Sequence, residues 1–168
     1  RVMHNFGGGM AQSGSQIDWI AVDWGTSNLR AWAMGPQGPL HHAESPEGMG
    51  KLGRDEFEPA LLRLIAPWLV ADEMPVVACG MVGARQGWLE ATYRAVPCAP
   101  VAPGDLVSVP THDARLRVMI VPGLQQPSPA DVMRGEETQI AGALALLPDF
   151  DGVLCLPGTH SKWAHISA

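Results

Sequence analysis

The segment DWGTSNLR, residues 23–30, restricts most strongly what this chain can fold into. It follows an apolar run at residues 17–22 and leads into a second apolar run at residues 29–34. Two apolar runs joined by a short turn of small polar residues are typical of a β-hairpin. Glycine lets turn amides approach a ligand closely, and consecutive turn amides form a concavity that binds anions. The pattern therefore predicts two paired strands whose connecting tip binds phosphate.

The side chains around this tip suit the same ligand. Thr26 and Ser27 add hydroxyl donors, and Asp23 is a carboxylate of the kind that holds a hydrated divalent cation. A Walker loop and a dinucleotide fingerprint both place their glycines between a strand and a helix, whereas this motif lies between two strands. We therefore predict that Gly25, Thr26 and Ser27 bind phosphate and that Asp23 is the metal ligand.

The composition is typical of one globular domain without a nucleic-acid surface. The 168 residues are 46% hydrophobic and 17% charged, which is enough apolar material for a real core. The net charge of −6 argues against a nucleic-acid partner, although backbone amides still allow a bound nucleotide. No apolar run reaches the roughly 20 residues of a membrane span. Three cysteines without a CxxC motif predict reduced thiols in a cytoplasmic protein.

The hydrophobic periodicity predicts a mixture of strands and helices. Strands are predicted at residues 17–22, 29–34, 40–44, 74–80, 116–121, 151–156 and 161–166, and helices from residue 55 to about 68 and from about 135 to 147. Asp55 with Glu58 resembles a capping box, and Pro67 should kink or end the first helix. Residues 96–110 and 125–130 are predicted to be loop or turn.

Two further motifs are expected to meet the first hairpin. The segment RGEETQ, residues 134–139, gives an acidic start to a helix rich in small residues. The segment LPGTHSKW, residues 156–163, indicates a second hairpin with a Gly-Thr turn. Glu136 and Glu137 have a structural alternative, because carboxylates in a first turn interact favourably with the helix dipole.

Taken in order, the three motifs resemble the actin-like ATPase and sugar-kinase superfamily, whose members grip nucleotide phosphates between two hairpins, one from each lobe. The strings DWGTSNLRAW, GMVGARQGW, MRGEETQIAGAL and LPGTHSKW more specifically resemble the 2-dehydro-3-deoxygalactonokinase family, across residues 17–168. The resemblance implies an α/β fold of the ribonuclease H-like kind, with a mixed sheet and flanking helices. Residues 1–16, rich in Gly, Ser, Gln and Met, are predicted to be a disordered lead. The order of the predicted elements assigns residues 17–150 to the N-terminal lobe and 151–168 to the first strands of a truncated second lobe.

The resemblance also implies ligands and roles. The expected reaction is ATP-dependent phosphorylation of 2-dehydro-3-deoxy-galactonate to its 6-phosphate, with Mg²⁺ organised by Asp23. Glu136 aligns with the residue that accepts the proton of the attacking hydroxyl, and Glu137 is the alternative. The expected phosphate grips are Gly25, Thr26 and Ser27 from the first hairpin, and Gly158 and Thr159 from the second, with Lys162 beside them.

The sugar acid should meet an arginine, because a planar guanidinium matches a carboxylate in two bonds. Arg85 is the first candidate, Arg134 is the second, and Trp24 is a further expected substrate contact. The partners are therefore small molecules, without nucleic acid or membrane. Three alternatives stay open: an actin-like ATPase or chaperone fragment, a metal-dependent nuclease using Asp23 and Glu136, and a lobe that binds phosphates without catalysis.

Overall fold

The computed structural model describes residues 16–70 and 72–167. Its helices are α1 (Phe57–Ile65) and α2 (Glu136–Leu146). Its strands are β1 (Trp19–Trp24), β2 (Leu29–Gly35), β3 (Gly38–Ser45), β4 (Met74–Gly80), β5 (Arg94–Ala95), β6 (Val107–Val109), β7 (Leu116–Ile120), β8 (Leu124–Pro127), β9 (Ala130–Met133), β10 (Gly152–Leu156) and β11 (Lys162–Ile166).

A six-stranded mixed sheet organises the chain, with the strand order β3-β2-β1-β4-β7-β6. The first three strands form an antiparallel meander, β4 and β7 run parallel to β1, and β6 is antiparallel to β7. Three shorter strands form a second sheet in the order β5-β8-β9, and β10 pairs with β11 in a two-stranded ribbon. The predicted mixed α/β fold is therefore confirmed.

The two faces of β1 have different roles, because successive side chains of a strand point in opposite directions. Ile20, Val22 and Trp24 are buried on one face, where Trp24 packs against Phe57 of α1 with ring centroids 5.2 Å apart. Asp23 lies on the other face, beside Cys79 of β4. The start of α2 approaches this second face, since Cys79 lies close to Thr138.

The first helix begins differently from the prediction. A 3-10 turn at Arg54–Glu56 precedes α1, and the Glu56 carboxylate accepts the Gly53 amide at 2.7 Å. The predicted capping box of Asp55 with Glu58 is therefore wrong. The Glu58 carboxylate instead accepts hydrogen bonds from the amides of His112 and Asp113, at 2.9 and 2.7 Å. It therefore stabilises a turn that is distant in the sequence and does not cap its own helix. The α-helix ends at Ile65 and Pro67 lies in the 3-10 turn that follows, as expected for proline.

Two segments predicted as loops contain short strands. The strand β6 lies within residues 96–110, and β8 and β9 replace the predicted turn-rich link at residues 125–130. Most residues of β8 and β9 are exposed, so they carry no alternation of apolar and polar residues that a periodicity search would detect. The short strand β5 was not predicted either. The seven predicted strands and α2 agree with the structure to within about two residues at each end, a normal uncertainty for element boundaries.

Fifteen of the sixteen residues assigned to the predicted lead lie outside the described residues. The β10–β11 ribbon begins at Gly152 and is separate from the main sheet, and the domain boundary between residues 150 and 151 stays a prediction. No helix in the described part of the chain is both long and apolar enough to cross a lipid bilayer.

Candidate functional site

The tip of the first hairpin is held from one side by a neighbouring loop. The Gly25 amide donates to the Asn28 carbonyl at 2.9 Å and closes the turn. The carbonyls of residues 25–27 accept the amides of residues 48–50 at 2.9–3.2 Å. Within the described ranges, the amides of Thr26 and Ser27 donate to no protein acceptor, and both residues are exposed. The tip therefore presents free donors, the arrangement that an anion requires.

Gly48 makes this contact possible, a role that was not predicted from the sequence. A Cβ atom at Gly48 would lie 2.2 Å from the Ser27 carbonyl carbon and 2.4 Å from the Thr26 oxygen. Both distances are far below van der Waals contact, so any larger residue would displace the hairpin tip. The available signal was the pair of glycines, Gly48 and Gly50, that follow β3 at a spacing of two.

Asp23 stands at the end of β1, directly opposite Arg30 of β2. The Arg30 Nη2 and Asp23 Oδ2 atoms are 2.5 Å apart, and the Asp23 side chain is still 32% exposed. On its other side Asp23 neighbours Cys79 in the register with β4. Burial, reinforced by the Asp23 charge, raises the pKa of the Cys79 thiol to about 12. Cys79 is therefore a neutral thiol at neutral pH and not a nucleophile.

Two glycines with positive φ angles bring three elements together at this edge of the sheet. Gly80 ends β4 with φ at +94°, and a Cβ atom there would lie 2.8 Å from the Trp24 oxygen and 3.4 Å from Asp23 Oδ1. Gly135 precedes α2 with φ at +113°, and its Cβ atom would lie 3.6 Å from the Gly80 Cα. The carboxyl ends of β1 and β4 and the start of α2 thus converge beside Asp23, so the structure brings the first two predicted motifs together.

The two glutamates at the start of α2 have different environments. Glu136 is half-buried and accepts the Arg134 amide at 3.0 Å. Glu137 is fully buried, and one of its oxygens accepts the Gly135 amide at 2.7 Å. Burial raises the pKa of the Glu137 carboxyl to about 7. A carboxyl group with such a pKa carries a proton in about half of the molecules near neutral pH.

Unsatisfied polar atoms are concentrated in the same segment. In the described part of the chain, the buried side-chain atoms without a hydrogen-bond partner are Arg134 Nε, Glu137 Oε1 and Thr138 Oγ1. Buried polar groups usually have a partner, so each of these atoms has unused capacity to bind a water molecule or a ligand. All three belong to residues within three positions of Gly135, which lies where α2 approaches the end of β4.

The two candidate arginines differ in their availability for a ligand. The Arg85 side chain is 80% exposed, and its contact with Glu90 is a loose one at 3.7 Å. Arg134 donates from Nη1 to the Ala91 carbonyl at 3.0 Å, and its guanidinium carbon lies 4.2 Å from the centre of the Tyr93 ring. The protein therefore binds the Nη1 atom and the face of the Arg134 guanidinium and leaves Nε without a partner, whereas the Arg85 guanidinium is exposed.

Trp24 belongs to the core, which corrects the prediction that it contacts the substrate. Its side chain is fully buried, its Nε1 atom donates to the Glu47 carbonyl at 2.9 Å, and its ring packs against Phe57 and Trp88. The alternation along β1 explains the difference, because adjacent side chains point to opposite faces and Asp23 faces the site.

The second hairpin has an exposed turn and a lysine that forms an ion pair. Gly158 and Thr159 are exposed between β10 and β11. Lys162, only 13% exposed, binds the Asp131 carboxylate of β9 at 2.5 Å, and its hydrogen bond lowers the pKa of Asp131. Lys162 therefore connects the ribbon to the second sheet.

Comparisons with known proteins identify the family. A family model described as 2-keto-3-deoxy-galactonokinase matches residues 23–168. A Rhizobium meliloti (strain 1021) protein described as a probable 2-dehydro-3-deoxygalactonokinase is 41% identical over 153 residues, covering 89% of this chain and 49% of its own length. The Escherichia coli (strain K12) 2-dehydro-3-deoxygalactonokinase is 38% identical over 148 residues, covering 86% of this chain and 48% of its own length.

A solved structure shows the same relationship in three dimensions. The crystal structure of a Sinorhizobium meliloti protein, described as a 2-dehydro-3-deoxygalactonokinase, superposes with a TM-score of 0.78 at 41% identity. The match covers 89% of this chain and 50% of that one, and the chain spans about half the length of the curated relatives it matches. Because the family model covers most of the sequence, the chain belongs to the 2-keto-3-deoxy-galactonokinase family.

Proposed function

We propose that this chain contributes the first phosphate grip and the proton acceptor of an ATP-dependent kinase that converts 2-dehydro-3-deoxy-galactonate to its 6-phosphate. Membership of the family supplies the reaction. The observation that carries the assignment is the convergence of the free amides at residues 26–27, Asp23 and the acidic start of α2 at one edge of the sheet. Phosphoryl transfer depends mainly on positioning and charge neutralisation, which these groups provide.

We further propose that residues 17–150 form a ribonuclease H-like lobe and that residues 151–168 begin a second one. The mixed sheet supports this reading, with its antiparallel meander β3-β2-β1 followed by the parallel strands β4 and β7. The separate β10–β11 ribbon would then belong to the second lobe, and the turn at Gly158 and Thr159 would be its phosphate grip. Lys162 would help to orient that turn through its ion pair with Asp131.

The residues at the first hairpin fit magnesium and a nucleotide phosphate. Magnesium is commonly held by one or two carboxylates together with substrate phosphates and water, and Asp23 is a partly exposed carboxylate beside the tip. Magnesium, when bound, neutralises phosphate charge. Asp23 would hold the ion, while the amides and hydroxyls of Gly25, Thr26 and Ser27 would bind the β- and γ-phosphates.

The proposed proton acceptor is Glu136, because this half-buried residue at the start of α2 is still partly accessible to a substrate hydroxyl. Glu137 is the alternative, and its pKa of about 7 suits proton transfer near neutral pH. Full burial speaks against direct contact between Glu137 and the substrate in this arrangement. Arg85 is the proposed partner of the substrate carboxylate, because its guanidinium is exposed and free of close ion pairs.

A fusion tests the proposal. We define the fused kinase as the full 168-residue chain joined to the C-terminal half of the Rhizobium meliloti relative. Coupled ADP release is measured with ATP and Mg²⁺, with and without 2-dehydro-3-deoxy-galactonate, and the unaltered relative serves as the positive control. We expect release that depends on the sugar acid. An active relative beside a folded but inactive fused kinase would contradict the proposed function, and cleavage of an RNA–DNA hybrid would favour the nuclease alternative.

A further inference from the structure

Arg134 connects two segments that are far apart in the sequence. Its Nη1 atom donates to the Ala91 carbonyl at 3.0 Å, and its guanidinium stacks on Tyr93 with 4.2 Å between the guanidinium carbon and the ring centre. A guanidinium over an aromatic face is attracted by the ring electrons, more strongly where water is excluded. The side chain therefore fixes residues 91–93 to the position immediately before α2.

Two glycines beside this contact have no room for a side chain. A Cβ atom at Gly83 would lie 2.9 Å from Arg134 Nη1 and 2.8 Å from a methyl carbon of Ile120. A Cβ atom at Gly123 would lie 2.7 Å from the Tyr93 ring. Glycines at both positions let the guanidinium and the phenol ring reach each other, so the geometry of the pair is closely determined.

The loop that carries Arg85 ends at Ala91, the residue whose carbonyl binds Arg134. The Trp88 amide donates to the Val82 carbonyl at 2.9 Å, and the Ala91 amide donates to the Gly83 carbonyl at 3.0 Å. Residues 84–91 thus form a loop whose two ends are pinned by the backbone. The Ala91 carbonyl, at the far end of this loop, is the acceptor that Arg134 uses.

The backbone at Arg134 and Gly135 binds the two glutamates at the start of α2. The Arg134 amide donates to Glu136 at 3.0 Å, and the next amide, from Gly135, donates to Glu137 at 2.7 Å. Both carboxylates are therefore oriented by the two peptide units that follow β9. A displacement of Arg134 would move the carboxylates and the Arg85 loop together.

We propose that Arg134 is a positioning residue that couples the loop at residues 84–91 to the carboxylates of Glu136 and Glu137, and that it is not a ligand of the sugar acid. The inference rests on the proposed function, since it assigns a role within the same site. It requires arginine specifically, because a lysine ammonium lacks both the planar stacking surface and the forked donors. Its effect should therefore fall on kcat more than on substrate affinity.

Kinetics of the fused kinase separate positioning from binding. We expect Arg134→Lys to lower kcat about 10- to 100-fold, because a misplacement of about 1 Å in a reacting group costs roughly that much. The KM values for the acid and for ATP should change less than about threefold. Tyr93→Leu should act in the same direction, whereas Tyr93→Phe, which keeps the aromatic face, should retain activity. Arg117→Lys, at an exposed ion pair with Glu73, is the matched control.

Other kinetic outcomes would overturn the inference. A rise of more than about tenfold in the KM for the acid, with kcat retained, would make Arg134 a substrate ligand. An unchanged kcat in Arg134→Lys, or an equal loss in Tyr93→Phe and Tyr93→Leu, would show that the stacked contact does not position the site.

A second measurement does not depend on kinase activity. Hydrogen–deuterium exchange of the 168-residue chain should show faster exchange across residues 84–91 in Arg134→Lys, by about fivefold or more, with β1 and β4 unchanged. Unchanged exchange in this loop would contradict the coupling even if the fused kinase is active. An inactive wild-type fusion with the expected exchange pattern would instead contradict the proposed function and leave the coupling supported.

Discussion

Asp23 and Arg30 face each other across the β1–β2 pair, with 2.5 Å between Arg30 Nη2 and Asp23 Oδ2. The arginine holds one carboxylate oxygen in place while the Asp23 side chain stays 32% exposed. An incoming magnesium ion would share this carboxylate with a fixed positive charge. The pair therefore orients the proposed metal ligand and also weakens its attraction for a second cation.

Replacing Arg30 should strengthen the response to magnesium. An exposed ion pair contributes about 0.5 kcal/mol, so Arg30→Met should lower the half-saturating Mg²⁺ concentration of the fused kinase about twofold to threefold. The measurement is a Mg²⁺ titration of acid-dependent ADP release at constant ionic strength, with Arg117→Met as the control. An increase in the half-saturating concentration would show that Arg30 supports the metal site instead of competing with it.

Replacing Arg85 should weaken recognition of the acid selectively. A charge-assisted bond to a carboxylate contributes about 1.5–3 kcal/mol, so Arg85→Ala should raise the KM for the sugar acid at least tenfold. The KM for ATP should stay within about twofold, because the nucleotide site proposed at the hairpin tip does not include Arg85. Steady-state kinetics of the fused kinase with each substrate varied in turn would measure this. Equal KM values for the acid in the variant and the wild type would remove Arg85 from the site.

Gly48→Ala should displace the tip of the first hairpin, because the loop that carries Gly48 packs against it. The added methyl group would stand 2.2 Å from the Ser27 carbonyl carbon, and overpacking of this kind costs about 1–3 kcal/mol. We expect a lower Tm and a KM for ATP raised at least about tenfold. Gly104→Ala is the matched control, because nothing lies within 4 Å of the added atom there. Wild-type affinity for ATP in Gly48→Ala would show that the contact between residues 48–50 and the tip is dispensable.

Glu137 should lower the free energy of unfolding as the pH rises. Burial raises the pKa of its carboxyl from 4.5 to about 7, so the folded state favours the protonated form. This contribution is fully present below about pH 4.5 and is lost as the pH rises through about 7, a change on the order of 3 kcal/mol. Urea unfolding at pH 5 and pH 8 should show a smaller loss of unfolding free energy in Glu137→Gln than in the wild type. Parallel pH dependence in the two proteins would contradict the assigned burial.

The sequence predicted the local parts of the site well. The apolar runs on either side of residues 25–28 determine the hairpin, and the acidic start of α2 is visible as Glu136 and Glu137. The strand parity was also available: Asp23 and Trp24 are adjacent in a strand, so only one of them can face the site. The prediction that Trp24 contacts the substrate disregards this parity, which places Trp24 in the core.

The parts that depend on distant contacts could not be predicted in this way. Arg134 is engaged by Ala91 and Tyr93, more than forty positions earlier in the chain, and no local pattern signals that partnership. Glu58 looked like a helix cap because its spacing from Asp55 fits one, whereas its carboxylate binds the amides of His112 and Asp113. Tertiary hydrogen bonds outweigh local spacing in both cases.

Phosphorus NMR of the product tests the central claim most directly. The fused kinase is incubated with ATP, Mg²⁺ and 2-dehydro-3-deoxy-galactonate, and the new phosphate ester is located on the sugar acid. We predict a monoester on the primary alcohol, formed at least about a hundredfold more slowly by a folded Asp23→Asn variant. A folded wild-type fusion that forms no such ester, or an Asp23→Asn variant that forms it at the wild-type rate, would contradict the account.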